Sequence, residues 1–147
     1  MDETTTALPP RLSEIVEEFT DSEGREKLEL LLEYSGRMPA LPDWLKGDHQ
    51  RMDQVQECMS PVFVHGERQG DTMQYFFDVP EEAPTVRGFA AVLADGLNGL
   101  TPEQVLRVPD YFYTEMGLQG VLTGRRLNGM GAILAYMKRL ALREMPS

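Results

Sequence analysis

The stretch PVFVHGERQGDTMQYFFDV, residues 61–79, decides how the chain folds. Residues 61–67 and 72–79 alternate apolar with polar side chains and are rich in β-formers, a period of two that belongs to half-buried strands. Met73, Tyr75, Phe77 and Val79 fall on one face, and His65 falls on the face opposite Val62 and Val64. Between the two runs ERQGD supplies a turn containing Gly70 and Asp71, so the stretch is predicted to be a β-hairpin. A short run at residues 54–57 can add a third strand, which would turn the hairpin into a meander with Cys58 at the tip between two strands. A lone hairpin is marginal in water, so helices must cover its apolar face.

Those helices are legible on both sides. After Pro9 and Pro10, Leu12, Ile15, Val16 and Phe19 form an i, i+3, i+4, i+7 stripe. A second helix in SEGREKLELLLEYSGR, residues 22–37, is expected to carry Leu28, Leu31 and Leu32 inward until Gly36 stops it. MPALPDWLKGD, residues 38–48, holds prolines that forbid a long helix, and reads as a connection with Leu41, Trp44 and Leu45 covering the core. Beyond the hairpin, residues 84–99 bring Val86, Phe89, Ala90, Leu93 and Leu97 to one side of a helix. Thr101 and Pro102 read as the N-cap and first position of the next helix, and PDYFYTEMGL, residues 109–118, as another short one. The last helix, from Gly124, spaces Leu127, Met130, Leu134, Met137 and Ala141 for burial, flanked by Ile133 and Leu140. The order predicts an α+β domain, a small antiparallel β-sheet (hairpin or three-stranded meander) covered by helices. Residues 1–9 read as a disordered N-terminal tail and residues 10–147 as one domain, with neither an internal repeat nor a dividing linker.

Composition narrows the function. Fourteen basic against twenty-four acidic residues give a net charge of −10, which repels a nucleic-acid backbone and an anionic membrane surface alike. The 147-residue chain has no apolar run near ~18 residues and one cysteine, so the expectation is a soluble, cytoplasmic protein with a reduced thiol. No CxxC, GxSxG or Walker loop occurs, and NGMG, residues 128–131, lies inside a helical pattern. His49 and His65 lack metal or catalytic spacing, and carboxylate pairs such as Glu81 and Glu82 are commonplace in an acidic chain. No metal or cofactor is expected to reside in the chain.

Cys58 remains, and two readings of it stay open on residues alone. Free cysteines are commonly buried and inert. Yet Glu57, Ser60 and Pro61 are poor companions for a core position, and a turn between strands exposes a side chain to backbone amides and hydroxyls. A reactive thiol must ionise, which the neighbouring Glu57 opposes. Arg125 and Arg126 are candidate helpers, oddly placed at a helix start that favours acids. If Cys58 is incidental, the chain is an acidic adaptor or regulatory domain. A thiol-dependent hydrolase would need His49 or His65 within hydrogen-bond reach of Cys58.

Four segments in consistent order resemble the SufE-like sulfur acceptor family. CMSPVFV, residues 58–64, is similar to its CxSxVW-type segment, and VRGFAAVL, residues 86–93, to its V(K/R)GLxAVL helix. TPEQVLRVPDYFYTEMGL, residues 101–118, followed by LTGRRLNGM, residues 122–130, resembles its LxPSRxNGL region, and LLLEYSGRMPALP, residues 30–42, fits its N-terminal part. Phe63 stands where tryptophan is usual, Gly124 and Arg125 replace the usual Pro and Ser, and the acidic stretch near residues 80–88 is only partly matched. The resemblance implies a SufE/IscU-like fold and makes Cys58 the sulfur-accepting residue, with Arg126, Asn128 and Gly129 as the nearby RxNG element and Ser60 in support. It implies a SufS-like cysteine desulfurase as partner, which keeps the pyridoxal phosphate, and iron-sulfur scaffold proteins downstream. One attacking thiol suffices to carry one sulfur.

Overall fold

The computed structural model describes residues 8–145. Helices α1 (Pro10–Thr20) and α2 (Arg25–Gly36) precede a three-stranded sheet of β1 (Asp53–Gln54), β2 (Phe63–Gln69) and β3 (Thr72–Asp78). Then follow α3 (Pro84–Leu97), α4 (Pro102–Leu106), two 3-10 turns and the long α5 (Gly124–Arg143). The sheet is antiparallel in the order β1-β2-β3, and the meander is the observed form. Its register pairs Phe63 with Asp78, Gly66 with Tyr75 and Gln69 with Thr72, so Gly70 and Asp71 make the two-residue turn.

One face of the sheet is dry. Val64, Met73, Tyr75 and Phe77 are buried against α3, which packs on β3, and α5, which packs on β2. The Tyr75 hydroxyl donates to the Met137 carbonyl at 2.9 Å, so this polar atom is satisfied inside the apolar layer. β3 is an edge strand, and the connection after α3 covers that edge. Met73 N–H bonds to Leu100 O at 2.7 Å, Gly99 N–H to Met73 O at 3.0 Å, and the Asn98 side chain accepts from Tyr75 N–H at 2.7 Å. These bonds occupy groups that would otherwise recruit another strand.

The expected one-sided stripe of α3 is instead burial nearly all round, from Val86 to Leu97. The helix is wedged between the sheet and α1, α2 and α5, which the small and apolar residues of its outer face allow. A Cβ on Gly88 would stand 2.2 Å from the Leu31 carbonyl oxygen, so only glycine lets α2 approach this closely. That approach also sets the rotation of α2: Leu31 and Tyr34 point inward, Leu28 is half-buried, and Leu32, expected inside, is half exposed. Trp44 departs from expectation as well. Leu45 enters the core, but Trp44 lies on the outer face of the sheet, its ring edge-on to His65 and Phe76 at 5.4 and 5.9 Å.

At the other end Thr101 and Gln104 form a reciprocal capping box for α4. The segment expected as a short α-helix is a 3-10 turn, Phe112–Met116, whose Phe112 and Met116 are buried. α5 buries Met130, Ile133, Leu134, Met137, Leu140 and Ala141 as its spacing predicts, with Leu127 half-buried. Helices and sheet share a single apolar cluster. Of the expected tail, residues 1–7 lie outside the described residues.

Candidate active site

The sheet leaves one long loop, residues 55–62, between β1 and β2. Its two ends are pinned. Val55 and Val62 are fully buried, and Val55 N–H bonds to Val62 O at 2.9 Å, continuing the rungs Asp53 to Val64 and Gln54 to Phe63. The third strand is therefore real but shorter than residues 54–57, since Val55 turns into the core and ends the ladder. Between the pins Gln56, Glu57, Met59 and Pro61 face solvent. Cys58, at the tip, folds back.

Its sulfur is half-buried and donates to the Gly129 carbonyl on α5 at 3.4 Å. The surrounding cavity, about 60 Å³, is lined by Cys58, Met59, Ser60, Val86, Arg125, Arg126 and Gly129. A side chain at residue 129 would sit against the thiol, with a Cβ 3.5 Å from Sγ. Burial, with Glu57 adding its charge, pushes the thiol up to about 11. At neutral pH the resting group is thus an un-ionised thiol, sheltered and weakly nucleophilic.

The positive side of the site comes from α5. Thr123 caps the helix through its hydroxyl, which accepts from Arg126 N–H at 3.3 Å, so Arg125 and Arg126 occupy the first turn, where no acid stands. Both are exposed. Among the described residues no carboxylate pairs with either guanidinium, whereas Arg11, Arg51 and Arg143 are tied to Asp95, Asp48 and Asp53. Two cations without a carboxylate partner thus stand at the mouth of the thiol pocket, in a chain of net charge −10.

The structure brings Cys58, Ser60 and Arg126 to one cavity, but not Asn128. That side chain lines a separate groove of about 330 Å³ with Asp110, Tyr111, Tyr113 and three small residues of α5. Val86, which sequence reasoning assigns only to the buried stripe of its helix, also walls the thiol pocket; its place at the head of the VRGFAAVL segment is the signal that could have found it. The histidines lie elsewhere. His49 Nε2 is 2.7 Å from Asp78 Oδ2; His65 Nδ1 is 3.0 Å from Arg51 O, and its Nε2 is 3.0 Å from Glu67 Oε1. Neither lines the Cys58 cavity, so a thiol–imidazole pair is not what this fold builds. Among the described residues no three His, Cys, Asp or Glu side chains converge as a metal site. No described helix is long and apolar enough to cross a membrane.

Fold and site together define a small α+β protein that presents a single sheltered thiol on a pinned loop. Comparison with known proteins gives the class its family. The Fe-S metabolism associated domain of SufE matches residues 13–141. An uncharacterized SufE-like protein of Mycobacterium tuberculosis (strain ATCC 25618 / H37Rv) is 44% identical over 139 residues, covering 94% of this chain and 95% of its own. The cysteine desulfuration protein SufE of Plasmodium vivax is 31% identical over 137 residues, 89% of this chain and 52% of that longer protein. The solution structure of a hypothetical protein from Thermus thermophilus superposes with a TM-score of 0.81 at 36% identity, covering 92% of this chain and 96% of the other. The chain belongs to the SufE family.

Proposed function

We propose that the protein accepts persulfide sulfur from a cysteine desulfurase onto Cys58, stimulates that desulfurase by unloading it, and passes the sulfur on for iron-sulfur cluster assembly in the cytoplasm. The observation that carries this reading is a lone thiol at the tip of a loop fixed at both feet, lodged in a pocket walled by Arg125 and Arg126. The transfer is an exchange at sulfur. Cys58 gives up its proton, its thiolate attacks the outer sulfur of the partner's persulfide, that S–S bond breaks, and the partner's thiolate leaves. Cys58 ends as a persulfide, the partner as a thiol once it takes the proton, and no external oxidant or reductant is consumed.

The resting geometry gives each residue a task. Turned inward, the un-ionised thiol is protected from small reagents. Rotation of residues 56–61 outward would remove the burial that suppresses ionisation, leaving Arg125 and Arg126 to favour the thiolate and the incoming anion. Ser60 has a hydroxyl on the same cavity wall, able to donate to a persulfide there. After transfer the apolar surfaces of Met59 and Val86 would screen the new persulfide. Pyridoxal phosphate chemistry stays with the desulfurase, and a scaffold protein takes the sulfur from Cys58.

The test is direct. The protein is incubated with a cysteine desulfurase and free cysteine, and the Cys58 peptide is examined by mass spectrometry for one added sulfur. An adduct confined to that peptide is expected. Stimulation of the desulfurase with no adduct would instead mark the chain as a non-catalytic activator.

A further inference from the structure

The two histidines of the chain take no part in the thiol pocket, yet both engage the segment that leads into the Cys58 loop. His49 opens the 3-10 turn His49–Arg51, just ahead of β1. Its ring stacks on Phe63 with centroids 3.8 Å apart and planes 9° from parallel, and its Nε2 lies 2.7 Å from Asp78 Oδ2. Phe63 and Asp78 are register partners on β2 and β3, and Phe63 also pairs with Gln54 on β1. One imidazole therefore touches the two neighbouring strands at the rung from which the Cys58 loop leaves the sheet. His65 adds a second fastening, with Nδ1–H donating to Arg51 O at 3.0 Å.

β1 needs such support. It has two residues and two rungs at the sheet edge, so its docking rests on the buried Met52 and Val55 that flank it and on side chains that tie it to the other strands. Its outward tie is a 3.6 Å ion pair between Asp53 and Arg143, both substantially exposed and so weakly held. If β1 lifted, the loop would lose one pin and Cys58 would no longer be aimed at Gly129.

We propose that His49 is a positioning residue for sulfur acceptance: its stack on Phe63 and bond to Asp78 hold β1 to the sheet, so that the loop moves only between Val55 and Val62. The inference depends on the proposed function only for what the loop carries; its test does not require a desulfurase.

The unbound, full-length protein is used. Two rates are measured: alkylation of Cys58 by iodoacetamide, and hydrogen exchange at the Val55 amide, with the Tyr75 amide, bonded to the Asn98 side chain on the opposite edge of the sheet, as a reference remote from β1. For His49→Ala both Cys58 alkylation and Val55 exchange should quicken about fivefold, the effect of losing a stack and a partly exposed hydrogen bond, while Tyr75 exchange holds. His49→Gln keeps a donor of similar reach toward Asp78 and should recover part of the protection; Asp78→Asn should fall between wild type and His49→Ala. Unchanged rates in His49→Ala, or equal acceleration at Val55 and Tyr75, would overturn the proposal. Should His49→Ala fail to fold, His49→Gln and Asp78→Asn decide it: faster Val55 exchange in both supports the clasp, and wild-type rates in both refute it. If Cys58 takes no sulfur in the transfer assay, these rates still report on His49, so the two failures are distinguishable.

Discussion

β2 is entered and left by two very different loops. At its far end Gly70 and Asp71 turn the chain in two residues, both exposed, with only the Arg68 side chain laid across them, donating to Gly70 O at 2.9 Å. At its near end residues 55–62 make a longer excursion with a buried valine at each foot and a cysteine tip laid against α5. The first loop does no more than join strands, and the hairpin register fixes its shape. The second is over-determined at its feet and held at its tip by two long bonds, Cys58 S–H to Gly129 O and Cys58 N–H to Val55 O, each 3.4 Å, an arrangement that permits a local swing without disturbing the sheet. A swing confined between rigid supports is what the proposed passage of sulfur from protein to protein requires.

Substitutions can break this contrast, and the largest effect is expected at the tip. Cys58→Ser should abolish sulfur acceptance, a loss of about a thousandfold or more, with thermal unfolding nearly unchanged, as read by sulfur transfer and calorimetry. Next is the pH dependence of the free thiol. With Cys58 pushed up to about 11 against an ordinary value of 9.0, its alkylation below pH 9 should run about 100-fold slower than that of an unfolded peptide, rising until pH passes 11. The linkage has a definite sign. Because the folded value is the raised one, the thiol's contribution to stability is complete below pH 9 and is lost between 9 and 11.

At the feet, Val62→Ala removes two methyl groups from a fully buried site and should cost about 2 kcal/mol by denaturant titration, while speeding alkylation of Cys58. Arg126→Ala should lower the transfer rate about fivefold and leave stability within about 0.5 kcal/mol, since the side chain is exposed and unpaired among the described residues. The smallest effect belongs to the other loop. Asp71→Asn should change neither stability by more than about 0.5 kcal/mol nor the reactivity of Cys58; a change in reactivity would mean that the two ends of β2 are coupled.

Much of this contrast could be read from residue order, for physical reasons that also mark where reading stops. A period of two is dictated by the pleat, so the hairpin and its buried face at Met73, Tyr75 and Phe77 follow from local pattern. The α5 stripe follows likewise from helical spacing. Which face of a helix turns inward when two are similarly apolar depends on the neighbour, and Leu32 lost its expected burial to Tyr34 because Gly88 draws α2 in along another line. Trp44 sits on a proline-bearing connection with no period to read, and its partners His65 and Phe76 come from two strands. In the site, Cys58 and Arg126 could be associated through the family resemblance, but the inward aim of the thiol is set by Gly129, 71 residues away along the chain. Asn128 is adjacent to Gly129 in sequence and faces another groove, because consecutive helix positions diverge by about 100°.

The most direct measurement is a single-turnover transfer from a cysteine desulfurase preloaded with radiolabelled persulfide sulfur. The expected result is label leaving the desulfurase and appearing on this chain at Cys58, one sulfur per molecule, with none on Cys58→Ser. Label that remains on the desulfurase, or that reaches the Cys58→Ser variant equally well, would contradict the account.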